Sequence, residues 1–390
     1  DDSLEITYQY TQAKVEGVKA SPNGGAVLKN SKVKLACETE GATILYVVIN
    51  EETAISEDSI LLTEVNEVPE DTWQIYTSPI DLNTLPCTLA VKAVKTGWED
   101  SAIRTLSFTE RENEKYNIYF GQLHAHTSYS DGAGSCEEAY AYAKNVDNLD
   151  FLAITDHSNS FDNADSASVT DGSMSSEWLE GHELAEKYTT EDFVGLFGYE
   201  MTWSNGLGHM NTFNTPGFQS RTQGEYTNFG TALQNYYETL QKTPDSISQF
   251  NHPGTTFGDF SDFAHYSEAN DALITMIEVG NGEGAIGSSG YFPSYEYYTR
   301  ALDKGWHVAP TNNQDNHKGK WGDANTARSV VLADSLTEEN IYDAMRNCRV
   351  YATEDNDLNI YYTLDSYVMG TVLNKDMVGE QIELKVDLQD

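Results

Sequence analysis

The first 112 residues alternate short apolar runs with turns rich in Gly, Asn, Asp and Pro, and they show no helical period. Short strand-length runs at this spacing are typical of a small β-sandwich. We therefore predict a β-sandwich over residues 1–112 and interpret it as an accessory domain. The strand-length runs are "SKVKLACE", "ATILYVVIN", "TWQIYT" and "TLAVKAVK".

Residues 113–353 follow a different pattern, in which apolar runs alternate with helix-length segments. This alternation predicts β/α units, and seven such runs predict an α/β fold with a closed or nearly closed barrel. Residues 354–390 return to β-like alternation and are expected to be a β-rich C-terminal segment, the start of another β-module. The predicted barrel strands are "NIYFGQLHAH", "DFLAITDH", "FVGLFGYEM", "SISQFNH", "ALITMIEVGN", "WHVAPTNN" and "RSVVLA", with helices near 136–147, 176–189, 229–242, 293–304 and 337–347.

Histidine and carboxylate side chains recur where the predicted strands of the barrel end. In "GQLHAHTSYSDG", His124 and His126 lie two positions apart on an extended segment, so both imidazoles project to one side and can chelate one ion. Because strand ends of a β/α barrel converge on one face, residues distant in sequence would meet there. Each residue alone also fits an ordinary polar loop position, but the whole set on one rim predicts a metal centre. The candidates are His124, His126, Asp131, His157, Glu200, His209, His252, Asp315 and His317.

The charge balance restricts the partners of the chain. Lys and Arg number 23 against 62 Asp and Glu, which gives a formal net charge of -39. Such a field repels polyanions, so we expect no general nucleic-acid binding, and the apolar runs are too short for a membrane span. An anionic substrate such as a phosphate ester would need a local cation. Arg328 would either contact its phosphate through the bidentate guanidinium or form a surface ion pair, and Lys318 and Lys320 are weaker candidates.

The cysteines and the first residues bear on the compartment. The sequence opens "DDSLEITYQY" without Met, which suits either a processed secreted protein or a trimmed chain, and an extracellular, cell-surface or periplasmic location is expected. The four cysteines form no C-x-x-C motif. Cys37 and Cys87 both lie in the N-terminal region, where they would either pair in an oxidising compartment or remain buried thiols.

The ordered motifs of residues 117–353 resemble the polymerase and histidinol phosphatase (PHP) superfamily. They comprise H-x-H with a downstream Asp, then D-H, a Glu, two separate His and a final D-x-H. The spacing in "GYEMTWSNGLGH" is most similar to the carbaryl-hydrolase-like branch, and the N-terminal runs resemble the immunoglobulin-like modules of secreted carbohydrate-active enzymes. The resemblance implies a distorted (β/α)7 barrel that carries two or three divalent ions, of zinc, manganese or iron.

The resemblance also implies how the candidate ligands are divided. The first site would use His124, His126, Glu200 and Asp315; Glu200 would bridge to a second site with His209 and His252; and a third would use Asp131, His157 and His317. Some relatives have histidine where Asp131 stands, which leaves the occupancy of the third site open. Asp156 would orient a neighbouring ligand through a hydrogen bond.

The implied activity is that of a metal-dependent phosphoesterase, with Glu200, Asp315 and Arg328 as catalytic residues. Two close divalent ions would lower the pKa of a bound water toward about 7 and supply a metal-bridging hydroxide. The substrate would be a small or medium phosphomonoester or phosphodiester, derived for example from a glycan or a nucleotide. No G-x-S-x-G or G-x-x-x-x-G-K-[ST] motif is present, which disfavours a serine hydrolase or a nucleotide-dependent motor.

Two other functions remain open from the sequence. Amidohydrolases, which cleave non-phosphate esters and amides, also begin with H-x-H, but they usually end with a solitary aspartate, whereas Asp315 and His317 form a pair here. A non-catalytic cell-surface protein that binds glycans through its β-modules would show a degenerate ligand set. None of the expected ligands is missing from the sequence.

Overall fold

The computed structural model of the chain describes residues 13–49, 72–111, 115–365, 367–373 and 381–390. Contacts between residues divide the chain into two units, Asp1–Glu114 and Lys115–Asp390. The candidate ligands all belong to the second unit.

The N-terminal unit contains two sheets that share one apolar core. One sheet has the order β1–β3–β6 and the other β2–β8–β7–β4–β5, and only the β2–β8 pair is parallel. Val33 and Leu35 of the first sheet pack with Leu89 and Phe108 of the second. The predicted runs all form strands within the described residues. The strands are β1 (Lys19–Ser21), β2 (Gly25–Leu28), β3 (Lys32–Ala36), β4 (Thr43–Ile49), β5 (Gln74–Ile75), β6 (Ile80–Asp81), β7 (Cys87–Val94) and β8 (Arg104–Arg111).

Cys37 and Cys87 are separate thiols in the structure. The Cys37 thiol donates a hydrogen bond to the carbonyl oxygen of Glu16 at 3.3 Å, and Cys87 is buried in the core of the N-terminal unit. Burial raises the pKa of the Cys87 thiol, which keeps it protonated.

The second unit is a mixed α/β structure built on one curled sheet. All seven predicted strands are present, and helices form in the five predicted regions. The strands are β9 (Asn117–Gln122), β10 (Phe151–Ile154), β11 (Val194–Trp203), β12 (Gly208–Phe213), β13 (Ile247–Asn251), β14 (Ile274–Asn281), β15 (Phe292–Pro293), β16 (Ala309–Asn313), β17 (Arg328–Ala333) and β18 (Val350–Thr353). The helices are α1 (Cys136–Ala143), α2 (Ser176–Tyr188), α3 (Ala232–Leu240), α4 (Phe260–Phe263), α5 (Glu268–Asp271), α6 (Tyr295–Asp303) and α7 (Glu338–Arg346).

The strand order is β15–β14–β13–β12–β11–β10–β9–β17–β18, and β16 pairs with β14. Strand β12 is antiparallel to both its neighbours, and β17 is antiparallel to β9, so the sheet departs from uniform β/α alternation. Only residues 204–207 separate β11 from β12, and such a turn is too short for the crossover that parallel strands need. The sequence pattern alone did not reveal this hairpin.

The sheet curls until β16 lies beside β17. The backbone N–H of Asn312 donates to Ser329 Oγ at 3.0 Å, and Ser329 Oγ donates to Asn313 Oδ1 at 2.8 Å. Among the described residues no backbone ladder joins β16 to β17, so side chains close this seam. The curl brings the ends of β9, β11, β13 and β16 to one face.

The chain after the sheet forms a small antiparallel sheet of its own, β20–β19–β21, with β19 at Asn359–Leu364, β20 at Tyr367–Val368 and β21 at Leu384–Gln389. Across the described ranges, no helix combines the length and the apolar character that a membrane crossing requires.

Helix α2 packs so closely on β11 that glycine is required at the contact. A Cβ atom at Gly195 would lie 2.7 Å from the carbonyl oxygen of Ala185 in α2, whereas a Cβ at Gly224 would meet nothing within 4 Å. We expect Gly195→Ala to lower the free energy of unfolding by about 1–3 kcal/mol, because the helix must shift away from the strand. Gly224→Ala is the matched control and should change it by less than about 0.5 kcal/mol. Equal urea denaturation midpoints for the two variants would contradict this account of the packing.

Candidate metal centre

The side chains predicted from strand ends meet at one face of the curled sheet. His124 and His126 follow β9, Glu200 lies in β11 and His209 in β12. Backbone bonds hold these segments together: His126 N–H donates to the Asn316 carbonyl at 2.9 Å, and bridges join Ala125 to Asn316 and His157 to Glu200. The remaining ligands come from the loops after β9, β10, β13 and β16.

The first group surrounds a point between His124 and His126. Their Nε2 atoms are 3.2 Å apart, and Asp315 Oδ1 lies 3.3 Å from His124 Nε2 and 3.0 Å from His126 Nε2. Glu200 Oε1 is 3.3 Å from His124 Nε2. Ligand atoms of a tetrahedral zinc site, with bonds near 2.0–2.1 Å, are separated by roughly 3.3 Å. The spacing therefore fits one ion.

Hydrogen bonds orient both imidazoles of the first group. His124 Nδ1 lies 3.0 Å from Glu278 Oε1, and a carboxylate can only accept, so Nδ1 carries the proton. Ser130 Oγ donates to Asp156 Oδ1 and therefore accepts from His126 Nδ1 at 3.3 Å. In neutral rings these bonds leave lone pairs on both Nε2 atoms, where they face each other and two carboxylates.

Such an arrangement is repulsive unless positive charge lies between the ligands, and a divalent cation satisfies all four at once. The residues present therefore fit a metal ion. Asp156 also accepts from the backbone N–H of Thr127 at 2.8 Å and from Thr127 Oγ1 at 2.6 Å, which fixes the carboxylate that orients His126 through Ser130.

The second group shares Glu200 with the first. Glu200 Oε1 lies 3.4 Å from His252 Nε2 and 3.5 Å from His209 Nδ1. Possible metal-ligand atoms of His124, Glu200 and His252 all lie within 4.8 Å of one another. The His209 and His252 ring centroids are 4.9 Å apart. One carboxylate oxygen thus contacts ligands of both groups, the arrangement a bridging carboxylate requires.

The third group is closer to solvent. Asp131 Oδ1 lies 3.5 Å from His157 Nε2 and 3.3 Å from His317 Nε2, and the Asp131 side chain is 65% exposed. His126 also has a possible metal-ligand atom within 4.8 Å of those of this group, so His126 lies between the first and third groups. His157 Nδ1 is 2.6 Å from Glu200 Oε2, which connects the third group to the shared carboxylate.

The electrostatics keep both carboxylates of the first group ionised. Burial alone would raise the pKa of Glu200, but the positive charge that His124, His209 and His157 carry when protonated outweighs it and holds that pKa well below its ordinary value. A bound cation would act in the same direction when the rings are neutral. Burial likewise opposes ionisation of Asp315, and His124 and His126 lower its pKa well below normal. The carboxylates of Glu200 and Asp315 are therefore charged at neutral pH and able to bind a cation.

Sequence reasoning missed Glu278, a fully buried carboxylate in β14. Besides His124, it accepts from the backbone N–H of His252 at 2.7 Å and from the amides of Asn281 and Asn313, both at 2.9 Å. It thus positions ligands from two strands. The signal was present as a single acid inside the apolar run "ALITMIEVGN", because unpaired acids are almost never buried.

The predicted phosphate contact of Arg328 is not supported by its position. Its guanidinium donates to the backbone carbonyls of Asn148, Asn325 and Ala327, and its side chain is buried in the wall of a cavity lined also by Tyr142 and Asp323. The periodic pattern placed Arg328 at the start of a strand, and because β17 runs antiparallel to β9 this start lies beside the end of β9. The guanidinium is nevertheless bonded to the carbonyl oxygen of Asn148, before β10, and not directed to a candidate ligand. Lys318 is 78% exposed and lies 3.8 Å from Glu283.

Another arginine lies near the cluster. Arg221 is half-buried, and one of its terminal nitrogens donates to the carbonyl of Thr202 at 2.9 Å, two residues beyond Glu200 on β11. Burial lowers the pKa of Arg221, and the charge of Glu200 opposes this effect. Within the described part of the chain, no carboxylate forms an ion pair with it. The remaining N–H groups of its guanidinium are therefore available to an anion.

Comparison with known proteins gives limited similarity. No family model matches the chain, and no curated protein matches it. Among solved structures, it is similar to a two-domain protein from Bacteroides vulgatus that contains a predicted PHP-like metal-dependent phosphoesterase. The identity is 20% and the TM-score 0.41, over 63% of this chain and 69% of that chain.

We expect Glu278→Gln to weaken metal binding about 10–100-fold, the usual effect of losing a partner that orients a ligand. A glutamine offers one acceptor oxygen, and its NH2 group would oppose one of the donors that Glu278 now receives. Glu183→Gln, on the exposed face of α2, is the control and should leave the affinity unchanged. Competition titration with a chromophoric chelator measures both, and equal affinities would show that Glu278 does not position His124.

Proposed function

We propose that this chain is a metal-dependent phosphoesterase that binds two or three divalent ions. The observation that carries the proposal is the convergence of His124 Nε2 and His126 Nε2, held as acceptors by their Nδ1 bonds, on the carboxylates of Glu200 and Asp315. Mixed nitrogen and oxygen ligands suit zinc, manganese or iron.

The groups divide the ligands among the ions. His124, His126, Asp315 and Glu200 would hold the first ion. The second ion would be held by Glu200, which the first two groups share, together with His209 and His252. The third ion would be held by the most exposed group, Asp131, His157 and His317. Bound ions would supply Lewis acidity toward a phosphoryl oxygen and lower the pKa of a coordinated water.

The protein residues supply orientation and charge. Glu278 and the Ser130–Asp156 pair fix the rings of His124 and His126, so the coordinating nitrogens need no rearrangement when an ion binds. Arg221 offers unpaired N–H donors, and a guanidinium binds phosphate oxygens in a planar fork. In a chain of net charge -39, an unpaired guanidinium beside the cluster favours an anionic ester over a neutral ester or amide.

The remaining features of the chain agree with this proposal. We infer that the curled sheet is a distorted relative of the (β/α)7 barrel and that the N-terminal unit is an immunoglobulin-like accessory domain, with residues 354–390 beginning a further β-module. We also propose an extracellular, cell-surface or periplasmic location, since the N-terminal runs resemble modules of secreted enzymes. The substrate would be a phosphomonoester or a phosphodiester.

The proposal is tested by turnover of three substrates after reconstitution with zinc, manganese or iron(II): 4-nitrophenyl phosphate, bis(4-nitrophenyl) phosphate and 4-nitrophenyl acetate. We expect at least one phosphate ester to be hydrolysed, with a chelator abolishing and the metal restoring the rate. Hydrolysis of the acetate alone, or no turnover by fully metal-loaded protein, would contradict a phosphoesterase.

We expect Glu200→Ala and Asp315→Ala to lower kcat for the phosphoester by about three orders of magnitude or more, because each substitution removes a charged ligand of the first ion. Circular dichroism should show an intact fold. Glu183→Ala, an exposed acid on α2, is the control and should retain the wild-type rate. Near-normal turnover in either ligand variant would refute its assigned role.

We expect Arg221→Ala to lower kcat/KM for the phosphoester about tenfold or more, since it removes a charge-assisted contact to the phosphate, and Arg221→Lys to restore part of the loss. Arg346→Ala is the matched control, because its guanidinium donates to the carbonyl of Asp245 on another part of the unit. A normal kcat/KM in Arg221→Ala would exclude contact with the substrate.

A further inference from the structure

One exposed aromatic ring lies directly on the metal-ligand cluster. Phe257 is 45% exposed, although its phenyl centroid is only 4.6 Å from the His252 ring and 5.1 Å from the His209 ring. Both imidazoles belong to the second group around Glu200. The phenyl group therefore has one side on two candidate ligands and another side open to solvent.

The loop that carries Phe257 is held rigidly against the site. Gly254 and Gly258 exchange two backbone hydrogen bonds of 2.9 Å, which close a short hairpin with Phe257 near its end. Gly258 has a φ of +120°, and a Cβ there would lie 2.1 Å from the Gly206 carbonyl oxygen. The hairpin thus rests on the turn between β11 and β12, the strands that carry Glu200 and His209.

The exposure of Phe257 contrasts with the burial of the phenylalanines nearest to it in the sequence. Phe250, Phe260 and Phe263 are buried and pack on one another with centroids 4.5–5.9 Å apart. Leaving a phenyl group partly in water forgoes part of the free energy that its burial would contribute. A ring held in place and only partly covered offers a stacking surface for a second planar group.

We propose that Phe257 is a specificity-determining residue that stacks on a planar apolar ring of the substrate, carried next to the phosphate. This inference rests on the proposed function and narrows it to phosphoesters with an aromatic or heteroaromatic group near the scissile bond. The anion lies at the cluster and the ring lies on the exposed side of Phe257.

The test is a binding comparison that needs no turnover. Phenylphosphonate and methylphosphonate, which carry no ester bond, are titrated into zinc-loaded protein by calorimetry. We expect wild-type protein to bind phenylphosphonate about five- to tenfold more tightly, a ratio of the size that ring stacking supplies. In Phe257→Ala the ratio should fall to about one, and in Phe257→Trp it should be retained. Phe229→Ala, which removes a phenyl that is 51% exposed, is the control and should keep the wild-type ratio.

Each alternative outcome is distinct. A phenyl preference that persists in Phe257→Ala, or its absence from wild-type protein, would overturn the inference. Loss of zinc from Phe257→Ala, measured on the same samples, would show that the ring holds His209 and His252 in place, and this would also overturn it. If neither phosphonate binds, both the stacking role of Phe257 and the anion site at the cluster are contradicted. A phenyl preference that depends on Phe257, combined with no hydrolysis of any phosphate ester, would overturn the phosphoesterase proposal alone.

Discussion

The buried carboxylate of Glu200 is the constraint on which the whole site depends. An ionised carboxylate without solvent is costly to bury unless positive charge meets it. Glu200 is fully buried and is approached by His124, His157, His209 and His252, with the amide of Asn251 donating to Oε1 at 2.8 Å. Where the rings are neutral, the balancing charge has to come from bound cations. Burial of the Glu200 carboxylate therefore costs free energy in the absence of ions and favours the binding of cations.

The fold and the cluster are linked through the curl of the sheet. Ligands separated by nearly two hundred positions meet because β9, β11, β13 and β16 end on one face. The supports come from the same strands: Glu278 in β14 contacts both the His124 ring and the His252 backbone. Small displacements of one strand would therefore reach two ligands at once.

Much of this could be predicted from the sequence because strand ends carry readable signals. Apolar runs defined the seven strands, and His124, His126 and Glu200 were identified by their place at or just beyond those runs. Periodicity gives no strand direction, so the antiparallel β12 and β17 were missed. It also does not show where a side chain at a strand end is directed, so the bonds of Arg328 to backbone carbonyls were missed. The roles of Glu278 and Arg221 depend on which side chains face them, and only the tertiary structure shows that. The assignment of ions to the ligands stays a prediction.

The most direct test of the account is the metal content of the wild-type protein. Elemental analysis should be made on protein purified without added metal and again after reconstitution and removal of loosely bound ions. The account predicts two or three divalent ions per chain in the reconstituted protein. Fewer than one ion per chain would mean that the histidines and carboxylates are stabilised by protonation and hydrogen bonds alone, and would contradict it.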